Sequence, residues 1–151
     1  MNIVFMGTPN FSLPTLQQLY KSAEHNIQLV ITQPDRPKGR SRQYSPSPVK
    51  EFALGKGLPI LQPEQTSNPE IISTLSALNA DIFIVVAYGQ ILKESLLRLP
   101  NHFCINLHSS ILPKYRGAAP INWAIINGEK ETGVTTIKMN TGLDTGDILL
   151  M

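Results

Sequence analysis

Of all the stretches in this chain, Ile82-Phe83-Ile84-Val85-Val86 most narrows the folds open to it. Five consecutive apolar residues, four of them β-branched, leave no polar side for water. Such a strand suits a parallel sheet covered by helices on both faces, and it belongs at the centre of that sheet. Tyr88-Gly89-Gln90 follows at its carboxyl end, where open α/β sheets bind their ligands.

The remaining segments supply what such a sheet needs. Asn2 to Met6 reads as a short buried strand, and Leu13, Leu16, Leu19 and Tyr20 follow at helical spacing after the turn Gly7-Thr8-Pro9-Asn10. That turn has one glycine where a dinucleotide fingerprint has three, so it gives little support for a bound dinucleotide. Gly7 is expected instead to let the backbone turn tightly beneath the helix. Ile27 to Thr32 and Leu58 to Gln62 predict two more strands. Ser47-Pro48 and Asn68-Pro69-Glu70 each set a capping side chain before a proline. They predict helices through Phe52 and Leu54, and through Ile71, Ile72, Leu75 and Leu78. Pro120 to Asn127, closed by Gly128, predicts a helix around Trp123; Gly133 to Met139 predicts a strand, and Asp147 opens another. This alternation specifies the α/β class, a Rossmann-like open, mostly parallel sheet with helices on both faces.

With 151 residues, 42% of them hydrophobic, the chain has one domain's length and a real core. One cysteine, Cys104, excludes an internal disulfide, and three scattered histidines offer no metal-ligand spacing. The amino terminus lacks a signal-peptide pattern and no run is long enough to span a bilayer, so a soluble cytoplasmic protein is expected. Nothing marks an obligate protein partner. The net charge of +2 is too small to argue for nucleic acid by itself, but Arg36, Lys38, Arg40 and Arg42 place four of the 13 basic residues in one stretch. Around them, Gln33 to Pro48 holds four prolines and no apolar period, which reads as a long exposed loop.

The candidate site begins at Phe103-Cys104-Ile105-Asn106-Leu107-His108, an apolar alternation running into polar residues. On a strand, Phe103, Ile105 and Leu107 share one face, and Cys104, Asn106 and His108 the other. An amide N–H and an imidazole aimed at one point suit a reaction in which a carbonyl oxygen becomes negative. The same spacing also suits a strand that simply ends in a surface turn, and spacing alone does not separate the two.

These residues, with Lys114-Tyr115-Arg116-Gly117-Ala118-Ala119-Pro120 and Asn140-Thr141-Gly142-Leu143-Asp144-Thr145-Gly146-Asp147, resemble the folate-dependent formyltransferases. Gly7-Thr8-Pro9, Thr32-Gln33-Pro34-Asp35-Arg36-Pro37-Lys38-Gly39-Arg40 and Ser45-Pro46-Ser47-Pro48-Val49-Lys50 are similar to the members that act on methionyl-tRNA. Ser109 and Ile111 depart from the glycine and leucine usual at those positions. The resemblance implies a catalytic set of Asn106, His108 and Asp144. Asn106 would donate to the formyl oxygen, His108 would stabilise it as an imidazolium, and Asp144 would help take the proton of the attacking amine. Cys104 lies two residues deeper, where a buried thiol is inert, so direct attack by the amine is expected.

The resemblance further implies 10-formyltetrahydrofolate as formyl donor, with Ala87, Tyr88, Gly89, Gln90, Ile91, Leu92, Ser110, Ile111, Leu112 and Pro113 lining its pocket. The acceptor would be the α-amino group of methionine on initiator methionyl-tRNA, gripped by Arg36, Lys38, Arg40 and Arg42. Residues 1–151 would be the N-terminal part of the catalytic domain, with a C-terminal tRNA-binding domain outside them. Two rivals stay open: a formyltransferase for a small amine such as phosphoribosylglycinamide or an amino-sugar nucleotide, and a non-catalytic α/β binding module. The basic segment discriminates, because a small acceptor gives no reason for it.

Overall fold

The computed structural model describes residues 1–38 and 43–151. In order these form β1 (Asn2–Gly7), a 3₁₀ turn (Asn10–Ser12), α1 (Leu13–Lys21), β2 (Asn26–Ile31), β3 (Arg36–Lys38), β4 (Gln43–Ser45) and α2 (Pro48–Gly55). There follow β5 (Ile60–Leu61), α3 (Pro69–Ala77), β6 (Ile82–Val86), α4 (Glu94–Leu97), β7 (Phe103–His108), α5 (Pro120–Ile126), β8 (Thr135–Lys138) and β9 (Ile148–Leu150). Seven strands build one sheet in the order β5-β2-β1-β6-β7-β8-β9. The first five run parallel; β8 and β9 join antiparallel. β6 is the middle strand, as its unbroken apolar run requires.

Side-chain alternation divides the core into two layers. On one face Val4, Met6, Phe83, Val85 and Cys104 meet Leu75 of α3 and Leu96 of α4; on the other Phe5, Val30 and Val86 meet Leu16 of α1 and Val49 and Ala53 of α2. Two of the helices start as their sequences require. The Ser47 hydroxyl accepts from Lys50 N, the Asn68 side chain accepts from Glu70 N, and each is followed by proline in the first turn.

Two expectations change, and one short helix is added. The segment 33–48 is not structureless, because β3 and β4 pair as an antiparallel ribbon, Arg36 opposite Ser45 and Pro37 opposite Tyr44. Both of its strands are edges, so Pro37 breaks no ladder that a wider sheet would need. Gly7 is not in the left-handed region; a Cβ there would lie 2.8 Å from both the Phe5 ring and the Ser12 Cβ, so close packing excludes a side chain. Helix α4 has four residues and no side-chain cap, too short for periodicity to register.

Candidate active site

The parallel register sets Val85 of β6 beside Asn106 of β7, so the segment leaving β6 and the last residues of β7 open onto one crevice. Cys104 lies at the foot of that face, in the core, and burial pushes its thiol up to about 12. Above it on the same face come Asn106 and His108.

Asp144 reaches them from the turn between β8 and β9. Its Oδ1 accepts from Asn106 Nδ2 at 3.2 Å, and its Oδ2 accepts from Gly117 N at 2.8 Å and lies 3.5 Å from His108 Nδ1. Arg116 Nε donates to the Asp144 main-chain oxygen at 3.0 Å. The other ring nitrogen of His108, Nε2, lies 2.8 Å from the Tyr115 carbonyl oxygen. The side chains of His108 and Asp144 are only 7% and 12% exposed. One amide, one imidazole and one carboxylate are thus held as a connected group, mostly shielded from water.

The turn that delivers Asp144 depends on glycine. A Cβ on Gly146 would fall 1.7 Å from the Lys138 carbonyl oxygen, so only glycine lets the turn close on β8. Four non-glycine residues nearby have positive φ: Ala87 (47°), Tyr115 (57°), Ala119 (55°) and Asp144 (49°). Each such conformation costs of order 1–2 kcal/mol. Ala87, Ala119 and Asp144 line the crevice, and Tyr115 carries the carbonyl that meets His108.

The crevice encloses about 600 Å³, within the range of small-molecule sites. Ala87, Tyr88, Gly89, Gln90, Ile91 and Leu92 all line it. Tyr88 and Gln90 turn their side-chain ends elsewhere: the Tyr88 hydroxyl meets Thr66 Oγ1 at 2.7 Å, and Gln90 Oε1 accepts from Thr66 N at 2.8 Å. Burial raises the Tyr88 hydroxyl's pKa, the Thr66 hydrogen bond opposing it.

Ser110, Ile111, Leu112 and Pro113 do not line this crevice. The Ser110 hydroxyl donates to the Lys114 carbonyl at 2.6 Å, and its own carbonyl accepts from Thr135 Oγ1 at 2.6 Å. Leu112 is buried, and Ile111 borders a separate pocket of about 90 Å³ with Lys114, Tyr115 and Glu129. The chain has left the crevice by then, because after His108 it must turn back to reach α5 and β8. In place of that segment the wall is made by Gly117 to Pro120, Met139 to Leu143 and Phe11. Gly117, Gly142 and Gly146 are the one sequence signal that the first two of these are tight turns.

Of the four basic residues, Arg36 pairs with Glu64 at 3.0 Å on the surface. Arg40, Arg42 and the Lys38 side chain lie outside the described residues. The foot of the ribbon is clasped by Asp35, which bonds Lys50 and Gln62; the Lys50 hydrogen bond, then Gln62, holds its carboxyl below the usual range. Among the described residues no helix is long and apolar enough to cross a membrane.

Residues 1–151 match the family model described as formyl transferase. The chain is 58% identical over 151 residues to a methionyl-tRNA formyltransferase from Caldanaerobacter subterraneus subsp. tengcongensis, covering 99% of this chain and 48% of the relative. It is 55% identical over 150 residues to one from Geobacter metallireducens, again covering 99% and 48%. The chain therefore spans about half the length of the curated relatives it matches. In fold it is similar to a crystal structure of glycinamide ribonucleotide transformylase 1 from Symbiobacterium toebii, with TM-score 0.78 and 19% identity over 99% of this chain and 71% of that one. A phosphoribosylglycinamide formyltransferase from Bacillus halodurans has TM-score 0.77 at 21% identity, over 99% and 77%.

Proposed function

Because the chain belongs to the formyl transferase family, we propose that it takes part in moving a formyl group from 10-formyltetrahydrofolate to the α-amino group of methionine on initiator methionyl-tRNA. The setting would be the cytoplasm, at the start of translation. The convergence of Asn106, His108 and Asp144 on one crevice carries the proposal.

Each group has a job that suits its position. The Asn106 amide has two N–H donors and gives one to Asp144, which leaves one to meet the formyl oxygen as it gains charge. His108, once protonated, offers Nδ1–H at the same point. Asp144, between the two, accepts the proton that the amine must lose as its nitrogen bonds the formyl carbon. The departing folate nitrogen needs a proton in turn, and the same pair can return it. A crevice of about 600 Å³, lined at Ala87 to Leu92 by a segment whose two large polar side chains point away, suits a flat heterocycle read by main-chain groups.

The acceptor follows from the relatives' names and from the ribbon. Arg36 on the ribbon, with Lys38, Arg40 and Arg42 after it in the sequence, would contact acceptor-arm phosphates, an interaction a small amine does not call for.

Asn106→Ala in the whole protein tests the assignment. Turnover should fall by about 10²-fold or more with folding intact, the loss expected for one oxyanion donor. Wild-type turnover alongside a normal melting curve would rule out the role.

A further inference from the structure

The side of His108 that faces away from the crevice is as closely held as the side facing Asp144. A carbonyl oxygen can only accept, so the 2.8 Å contact between Nε2 and the Tyr115 carbonyl requires the proton to sit on Nε2. In the neutral ring that leaves Nδ1 bare, and Nδ1 is the nitrogen turned to Asp144. Which nitrogen serves the reaction is therefore decided by where the Tyr115 carbonyl points.

That carbonyl is aimed by a backbone in an unfavourable conformation, φ 57° at a tyrosine. Something must hold it. The Tyr115 hydroxyl donates to Glu129 Oε1 at 2.8 Å and accepts from Asn127 Nδ2 at 3.1 Å, while Lys114 Nζ reaches the same Glu129 oxygen at 3.0 Å. Glu129 is in turn fixed behind α5, its N–H donating to the Ala124 carbonyl at 2.9 Å. The side chains on either side of Tyr115's backbone and ring, Lys114 and the hydroxyl itself, thus close on one carboxylate. Its pKa is lowered by the Lys114 hydrogen bond first and the Tyr115 hydrogen bond second, so it stays an acceptor at neutral pH.

We infer that Glu129 is a positioning residue: by anchoring the Tyr115 ring and Lys114 it fixes the Tyr115 carbonyl, and so the Nε2–H form of His108, leaving Nδ1 to serve the reacting group. This rests on His108 acting in the proposed transfer, but the tautomer can be read without any turnover.

The experiment is two-bond ¹H–¹⁵N correlation spectroscopy on histidine-labelled protein, above the pH at which the ring carries a proton on both nitrogens. His108→Gln assigns the signal. Wild type should show Nε2–H alone, and Tyr115→Phe and Glu129→Gln should each bring in the Nδ1–H form. Both variants should lower kcat roughly fivefold to tenfold, the equivalent of one ordinary hydrogen bond, with KM for the folate donor unmoved. Tyr115→Phe keeps the ring and removes only the hydroxyl, so it serves if Glu129→Gln melts early. An Nδ1–H wild type, or a tautomer unmoved in whichever variants fold, would overturn the inference. A tautomer that shifts in a protein showing no formyl transfer would leave the positioning role standing and defeat the proposed reaction instead.

Discussion

Asp144→Asn is the sharpest single test of how the site is held, because the two oxygens it alters have different partners. If the new amide oxygen takes the place of Oδ2, the 2.8 Å bond from Gly117 N survives. The new nitrogen then meets Asn106 Nδ2 at 3.2 Å, donor against donor. If the oxygen takes the place of Oδ1, Asn106 keeps its acceptor, while the Gly117 N–H faces a nitrogen. Neither rotamer satisfies both partners unless Asn106 also turns over, and in that case the charged acceptor is still gone. At least one hydrogen bond to a charged acceptor is lost, about 1.5–3 kcal/mol, and with the side chain 12% exposed solvent replaces little of it. For a domain of this size that is a fall in Tm of roughly 3–10 °C. Turnover should drop further than stability alone explains, by about 10²–10⁴-fold, since the proton acceptor is gone as well. Thermal melting and steady-state formyl transfer on the same preparation read both. An unchanged Tm together with kcat within about tenfold of wild type would refute the proposed role and the hydrogen-bond accounting behind it.

Three further outcomes follow from groups away from the crevice. Cys104, with its thiol near 12 through burial, should be inert to a disulfide reagent at pH 8 in the native protein and react fully once denaturant is added. Its raised folded value also means the stability it contributes is complete below the unfolded value of about 8.5 and fades as pH rises toward the folded one, so alkaline melting should be less steep in Cys104→Ala. Asp35, Asp81 and Glu129 are shifted the other way, chiefly by hydrogen bonds from Lys50, from Asn2 N and from Lys114. Their contribution is present above the unfolded values of about 4 and is lost as pH falls through the lower folded ones, so Tm should be flat near neutrality and decline below about pH 4. A Tm that stays constant to about pH 3 would contradict this.

How much of this could be read from the chain depends on how local each cause is. The apolar run of β6, the alternation of β7 and the caps at Ser47 and Asn68 act within a few residues, and each element lies where those signals put it. The pairing of β6 with β7 followed from topology, and with it the place of Ala87 to Leu92. Ser110 to Pro113 lie off the wall of this crevice, and adjacency to His108 says nothing about direction. The Ser110 carbonyl bonds to Thr135, 25 residues on, and that bond turns the segment away from the crevice. The ribbon was missed for a related reason: three residues pairing with three across a proline leave no periodicity to detect.

The deepest limit lies in the site itself. Ala87, Tyr115, Ala119 and Asp144 all adopt a conformation that their own side chains disfavour. A reading based on local preference gives no sign of that backbone, and for Tyr115 and Asp144 the bonds that hold it come from elsewhere in the chain. Asp144 is tied to Asn106, 38 residues before it, and to Gly117, 27 before it; Tyr115 is tied to Glu129, 14 after it. None of these bonds exists until the sheet has brought β7, α5 and the β8–β9 turn together. The strain and the bonds that offset it therefore depend on the same long-range contacts, which makes the site a consequence of the whole fold. A substitution that leaves every element intact can still disarm the site by releasing one distant tie, and Glu129, which borders a different pocket, is where that separation of fold from site should be most visible.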